Sequence, residues 1–99
     1  MNIAVTYRNT LEINSKAVPY SIYVLKQLIK AGHNIVVFEE YARQWLEANN
    51  VSYVDSEEFD FIIDYRAIGT PLSYVGETSY VDWYKVETIL RAKNLIIEI

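Results

Sequence analysis

The chain has 99 residues, 52% of them hydrophobic and 22% charged, with 9 Lys+Arg against 13 Asp+Glu for a formal charge of −4. The length fits one domain over residues 1–99 with a single core, and with no cysteine and one histidine, disulfides, thiolate metal sites, a cysteine nucleophile and a multi-histidine metal centre are excluded. The acidic balance argues against nucleic-acid and membrane partners, no apolar run approaches the ~20 residues of a membrane span, and no leader peptide is seen, so a soluble cytoplasmic protein is expected.

Ile3-Ala4-Val5-Thr6-Tyr7 is a short apolar run, as expected of a strand buried on both faces. Residues 8–18 read as a loop. Pro19 suits the first turn of a helix, and Ile22, Leu25, Leu28 and Ile29 recur at helical spacing behind it. Gly32 is a stop signal. His33, in the turn that follows, is assigned no chemistry. Ile35-Val36-Val37-Phe38 is a second buried strand, Glu39 to Asn49 a helix, Val51 to Val54 a third, short strand, and Phe59 to Asp64 a fourth. Residues 65–81 read as a long connection of the kind usually functional or mobile. Asp82 is a helix N-cap ahead of Trp83, Val86, Ile89 and Leu90, and the apolar tail Asn94 to Ile99 reads as a short strand or a docked extension. Strands alternating with helices predict a three-layer, Rossmann-like parallel sheet with helices on both faces. Ligands bind such sheets beyond the carboxyl ends of the strands. Those ends carry Thr6 to Thr10, Glu39-Glu40 and Asp64 to Arg66.

Ile63-Asp64-Tyr65-Arg66-Ala67-Ile68-Gly69-Thr70-Pro71-Leu72, followed by Tyr80-Val81-Asp82-Trp83, resembles the end of small capless phosphatases of the haloacid-dehalogenase-like superfamily. In that family the fourth motif often reads Ile-Asp-Asp-Arg, then a glycine, then Asp-Trp. Ile3 to Thr10 sits where the family has apolar residues and then D-x-D-G-T. Short stand-alone members are frequent in bacteria and bacteriophages. The resemblance implies the same fold without a cap domain, with the first and fourth strands adjacent so that Thr6, Arg8 and Asp64 meet at one end.

The family's catalytic pattern is broken in this chain. The resemblance places Thr6 at the nucleophile position, Arg8 at the acid/base position and Glu39 at the second-motif Ser/Thr. No lysine stands in Val54 to Glu58, and of the fourth-motif carboxylate pair Asp64 remains beside Tyr65. A threonine hydroxyl without a base is a poor nucleophile, and arginine stays protonated. Loss of one carboxylate weakens a Mg²⁺ site. No phosphoaspartyl chemistry, no metal and no cofactor are expected.

Arg8 either holds phosphate, with Arg66 as a second cation, or pairs with Asp64 across adjacent strands. The N–H groups after Thr6 are candidates for an anion-binding turn. Tyr41, Tyr65, Tyr74 and Tyr80 are expected near the crevice, either stacking a base or filling half-buried positions or a subunit interface. Tyr7 is expected to face away from it. Glu39 would repel a terminal phosphate unless neutralised, or accept from a ribose or an amine. The ligand-binding candidates are Thr6, Arg8, Asn9, Thr10, Glu39, Asp64, Tyr65, Arg66, Tyr74 and Tyr80. The expected function is an inactive fold that binds a small anionic ligand, a nucleotide or phosphorylated metabolite, and sequesters it, as a phage-type sponge does. The alternatives are an interaction module or homodimeric subunit, and a residual phosphohydrolase.

Overall fold

A computed structural model describes residues 1–96. β1 (Asn2–Val5) is the first apolar run, and Ile3, Ala4 and Val5 are all buried. Two short antiparallel strands follow, β2 (Glu12–Ile13) and β3 (Lys16–Ala17), joined by Asn14-Ser15. Both turn residues have positive φ, 51° and 64°, which is the conformation a two-residue hairpin of matching twist requires. The stretch expected as loop over 8–18 is therefore partly a hairpin.

α1 (Ser21–Lys30) begins two residues after Pro19, because Tyr20 takes a left-handed conformation (φ 74°) at the cap. Pro19 thus precedes the helix instead of occupying its first turn. β4 (Asn34–Val36) and α2 (Glu40–Ala48) follow as expected. The third strand is reduced to an isolated parallel bridge from Val54 to Val36. β5 (Phe61–Ile63) starts later than the run from Phe59 suggests. The connection over 65–81 contains an unexpected antiparallel hairpin, β6 (Leu72–Val75) and β7 (Thr78–Val81). Its turn is Gly76-Glu77, and Gly76 supplies the positive φ (60°) at the first central position.

α3 (Trp83–Ala92) is capped as expected: Asp82 accepts from the Lys85 N–H at 3.2 Å. Asp82 also accepts from the Ser73 hydroxyl at 2.9 Å, which ties the cap to the hairpin. The terminal strand or docked extension expected over Asn94–Ile99 lies partly outside the described residues, and its Ile96 is buried.

The main sheet is parallel, in the order β4-β1-β5. Ile3 pairs with Ile35 on one side and with Phe61 on the other. The first and fourth strands of the sequence pattern are thus adjacent. α1 packs on β4 and against α3. The core gathers Ile3 and Val5 of β1, Leu25 and Leu28 of α1, Leu46 of α2 and Trp83 of α3. Burial of each such side chain contributes roughly 1.5–3 kcal/mol.

His33 joins the start of β4 to the segment after α3. Its Nε2 lies 2.8 Å from the Leu95 carbonyl, and its Nδ1 lies 3.1 Å from the N-terminal ammonium of Met1. A carbonyl only accepts, so Nε2 carries the proton and Nδ1 accepts from Met1.

Candidate functional site

The carboxyl ends of β1 and β5 lie side by side, and the chain turns sharply after Thr6. The Tyr7 carbonyl accepts from the N–H groups of Thr10, Leu11 and Glu12 at 3.4, 2.8 and 3.1 Å. Asn9 adopts a left-handed conformation (φ 61°), which asparagine tolerates better than most residues. Its carbonyl accepts from the Val81 N–H at 2.9 Å and its side-chain amide donates to the Ser79 carbonyl at 2.7 Å, fixing the turn against β7. Trp83 Nε1 donates to the Thr10 carbonyl at 2.6 Å. Asn9 and Thr10 thus hold the turn in place.

Within this end the side chains close on one another. The hydroxyls of Thr6 and Thr10 are 2.8 Å apart, and Thr10 Oγ1 accepts from the Tyr65 N–H at 3.1 Å. Asp64 is engaged by Arg66 through the backbone N–H at 3.1 Å and through the guanidinium at 3.3 and 3.5 Å. Burial pushes the Asp64 carboxyl up, but the Arg66 hydrogen bonds and charge and the Thr6 hydroxyl outweigh it and hold the group below the ordinary carboxylate value. The Arg66 guanidinium also lies 5.6 Å above the Tyr65 ring. Glu39 accepts from the Tyr7 N–H at 3.4 Å and helps raise the Arg66 pKa, behind the larger hydrogen-bond and charge effects of Asp64 and the charge of Tyr65.

The structure therefore brings together Thr6, Thr10, Glu39, Asp64, Tyr65 and Arg66. It also corrects several expectations. Thr10 is fully buried and offers a ligand no surface. The N–H groups of Tyr7, Thr10, Leu11 and Glu12 are engaged within the fold, so they do not form an open anion-binding turn. Asp64 pairs with Arg66, not with Arg8. Tyr74 and Tyr80 pair across the hairpin with Ser79 and Ser73 respectively, so alternation sends them to opposite faces. They do not line one crevice together. Tyr74 is exposed and Tyr80 half-buried.

Arg8 stands in different company. It is exposed and forms no ion pair among the described residues. It lines a cleft of about 440 Å³ together with Tyr7, Glu12, Ser15, Tyr41 and Trp45. Tyr7 does turn away from Thr6, as strand alternation requires, but this cleft lies on its side. There Tyr7 stacks on Tyr41 at 6.1 Å and meets Trp45 edge-on at 5.9 Å. Burial, then the charge of Glu12, raises the Tyr7 phenol above its ordinary value, against the lowering effect of Arg8. No protein-family model matches the chain, and no curated protein or solved structure does either.

Glu12, Ser15 and Trp45 were not among the expected site residues. The signal for the first two was Asn14-Ser15, a turn pair that sets the Ser15 N–H on the Glu12 carboxylate, while the turn after Thr6 brings Glu12 beside Arg8, the two forming an isolated bridge. Trp45 follows Tyr41 by one helical turn, so the two share a face of α2. A second, mostly apolar groove of about 630 Å³ runs between β5 and α3, lined by Phe61, Ile63, Pro71, Val86 and Leu90 among others.

Proposed function

We propose that the protein is a haloacid-dehalogenase-like fold that binds a small anionic ligand, a nucleotide or another phosphorylated metabolite, and sequesters it without turnover. The observation that carries this reading is the contrast between the two arginines. Arg66 is held by Asp64, whereas Arg8 is exposed, free of ion pairs among the described residues, and placed at a cleft with aromatic walls. A guanidinium without an internal carboxylate is available to take phosphate oxygens bidentately. The adjacency of β1 and β5, with Thr6 and Asp64 at one end, supports the fold reading. The absence of turnover rests on Asp64, the carboxylate beside Thr6, being held below its ordinary value by Arg66 and so being a weak base for a hydroxyl, and on the resemblance, which sets Arg8 at the sequence position of the proton-transferring carboxylate.

The test is calorimetric titration of the full chain with nucleoside monophosphates, with and without chelator. Binding is expected without divalent metal. Arg8→Ala should weaken it about ten- to a hundredfold, as loss of a charge-assisted bond worth ~1.5–3 kcal/mol implies. Arg8→Lys should recover only part of that, because the planar fork is lost. Unchanged affinity in Arg8→Ala, or binding that vanishes in chelator, overturns the mechanism. The reading then moves to the exposed cluster of Tyr20, Tyr23 and Tyr84, whose rings lie 4.8 and 5.8 Å apart, as a protein-facing surface.

A further inference from the structure

The cleft beside Arg8 is more than a cation at a rim. Glu12 lies in it, only 8% exposed. Its Oε1 accepts from the Ser15 N–H at 2.6 Å, which fixes the carboxylate in place. Among the described residues Oε2 accepts no hydrogen bond, and Glu12 forms no ion pair. Oε2 is not one of the buried unpartnered polar atoms, so it stays open to the cleft and can accept from a ligand. The walls are Tyr7, Tyr41 and Trp45; Tyr41 is 69% exposed, and with Tyr7 stacked on one side its other face is open for stacking. The volume, about 440 Å³, falls in the ~300–1,000 Å³ range of small-molecule clefts.

We infer that this cleft is the base half of the nucleotide site and that it selects guanine; the inference rests on the nucleotide reading above. A carboxylate is an acceptor only. Among the bases, guanine alone presents two adjacent donors and no acceptor between them, at N1–H and the 2-amino group. Adenine and cytosine place an acceptor beside their amino group, and uracil flanks its single N–H with two carbonyls. Those lone pairs would face the Glu12 oxygens and repel them. In the assigned pose guanine stacks on Tyr41, its N1–H and 2-amino group donate to Glu12, and the phosphate extends to Arg8 at the rim. The open carboxylate oxygen, the open aromatic face and the guanidinium that has no ion pair among the described residues each receive a partner in one ligand.

The experiment is a calorimetric comparison of GMP, AMP, CMP and UMP, with guanosine, inosine and inorganic phosphate as partial probes. GMP should bind about tenfold or more tightly than the other three, the discrimination expected of a bidentate base contact. Inosine, which lacks the 2-amino group, should bind less well than guanosine. Glu12→Gln should abolish the preference for GMP. It keeps an acceptor for the Ser15 N–H, so the hairpin should persist, and an unchanged thermal midpoint would confirm it. Tyr41→Ala, at an exposed position, should weaken all four nucleotides by about tenfold. Equal binding of the four nucleotides, with no response in Glu12→Gln, overturns the base site while leaving anion binding standing. Guanosine binding as tightly as GMP, with Arg8→Ala silent, keeps the base site and overturns the anion reading instead.

Discussion

Thr6 and Tyr7 are neighbours in the chain, yet they stand in regions of opposite character. On the Thr6 side the polar groups answer one another: Thr6 with Thr10, Thr10 with the Tyr65 N–H, and Asp64 with Arg66. On the Tyr7 side groups are left open. Among the described residues Arg8 has no ion pair and Glu12 Oε2 accepts no hydrogen bond. Fully satisfied polar networks rigidify a structure, whereas groups left unsatisfied in a cleft are those a ligand can reward. The strand-end position that sequence pattern marks as the site thus organises the fold, and the adjoining cleft holds the open chemistry.

If that division is right, variants on the two sides should fail in different ways. The largest effect is expected at Trp83, 1% exposed and bonded through Nε1 to the Thr10 carbonyl. Trp83→Ala should lower the unfolding free energy by ~3–5 kcal/mol, measured by urea denaturation. A loss under about 1 kcal/mol, within the range of ordinary surface changes, would mean that the turn after Thr6 is not held from α3. Next comes Thr10→Val, nearly equal in volume. It deprives the Thr6 hydroxyl and the half-buried Tyr65 N–H of a partner, so ~1–3 kcal/mol should be lost, with ligand affinity following only through stability. Arg8→Ala should do the reverse, changing stability by no more than ~0.5 kcal/mol while weakening ligand binding. Equal stability losses in the two variants would erase the distinction.

The central sheet was legible because the short continuous apolar runs at Ile3, Ile35 and Phe61 fit strands of a covered sheet; β1 is buried over Ile3–Val5, while β5 is only partly covered. The cap at Asp82 was legible for a local reason: an aspartate ahead of a helical pattern can accept from an orphan N–H of the first turn. The hairpins escaped because strands of two to four residues are too short to show alternation. Their turns did carry a signal, in Asn14-Ser15 and Gly76-Glu77. The third strand shrinks to a single bridge. Val51 to Val54 has the right residues for a strand, but only Val54 pairs. At the site, the meeting of Thr6 with Asp64 followed from parallel strand order. Glu12 did not, since its place depends on the missed hairpin. Nor could sequence decide which arginine Asp64 holds; Arg66 reaches it from two residues away and donates with its backbone as well.

The smallest effect, and the most direct probe of the closed side, is the acid response of Asp64. Its folded pKa lies below the ordinary value, the Arg66 and Thr6 contacts outweighing burial. A depressed carboxylate contributes stability that is fully present above its unfolded value, ~3.9, and is lost as pH falls through the folded value. Wild-type stability should therefore decline on acidification below about pH 5. Asp64→Asn should be less stable at neutral pH and should show a shallower decline, with the two curves converging in acid. Denaturant midpoints taken from pH 7 down to pH 3 would follow this. Curves that stay parallel would show that Asp64 is not held ionised by its neighbours. Arg66 would then be as free as Arg8, and a second guanidinium at the carboxyl end of β5 would join the open side. The ligand would in that case be gripped from both sides of β1, and Arg66→Ala would weaken binding as much as Arg8→Ala.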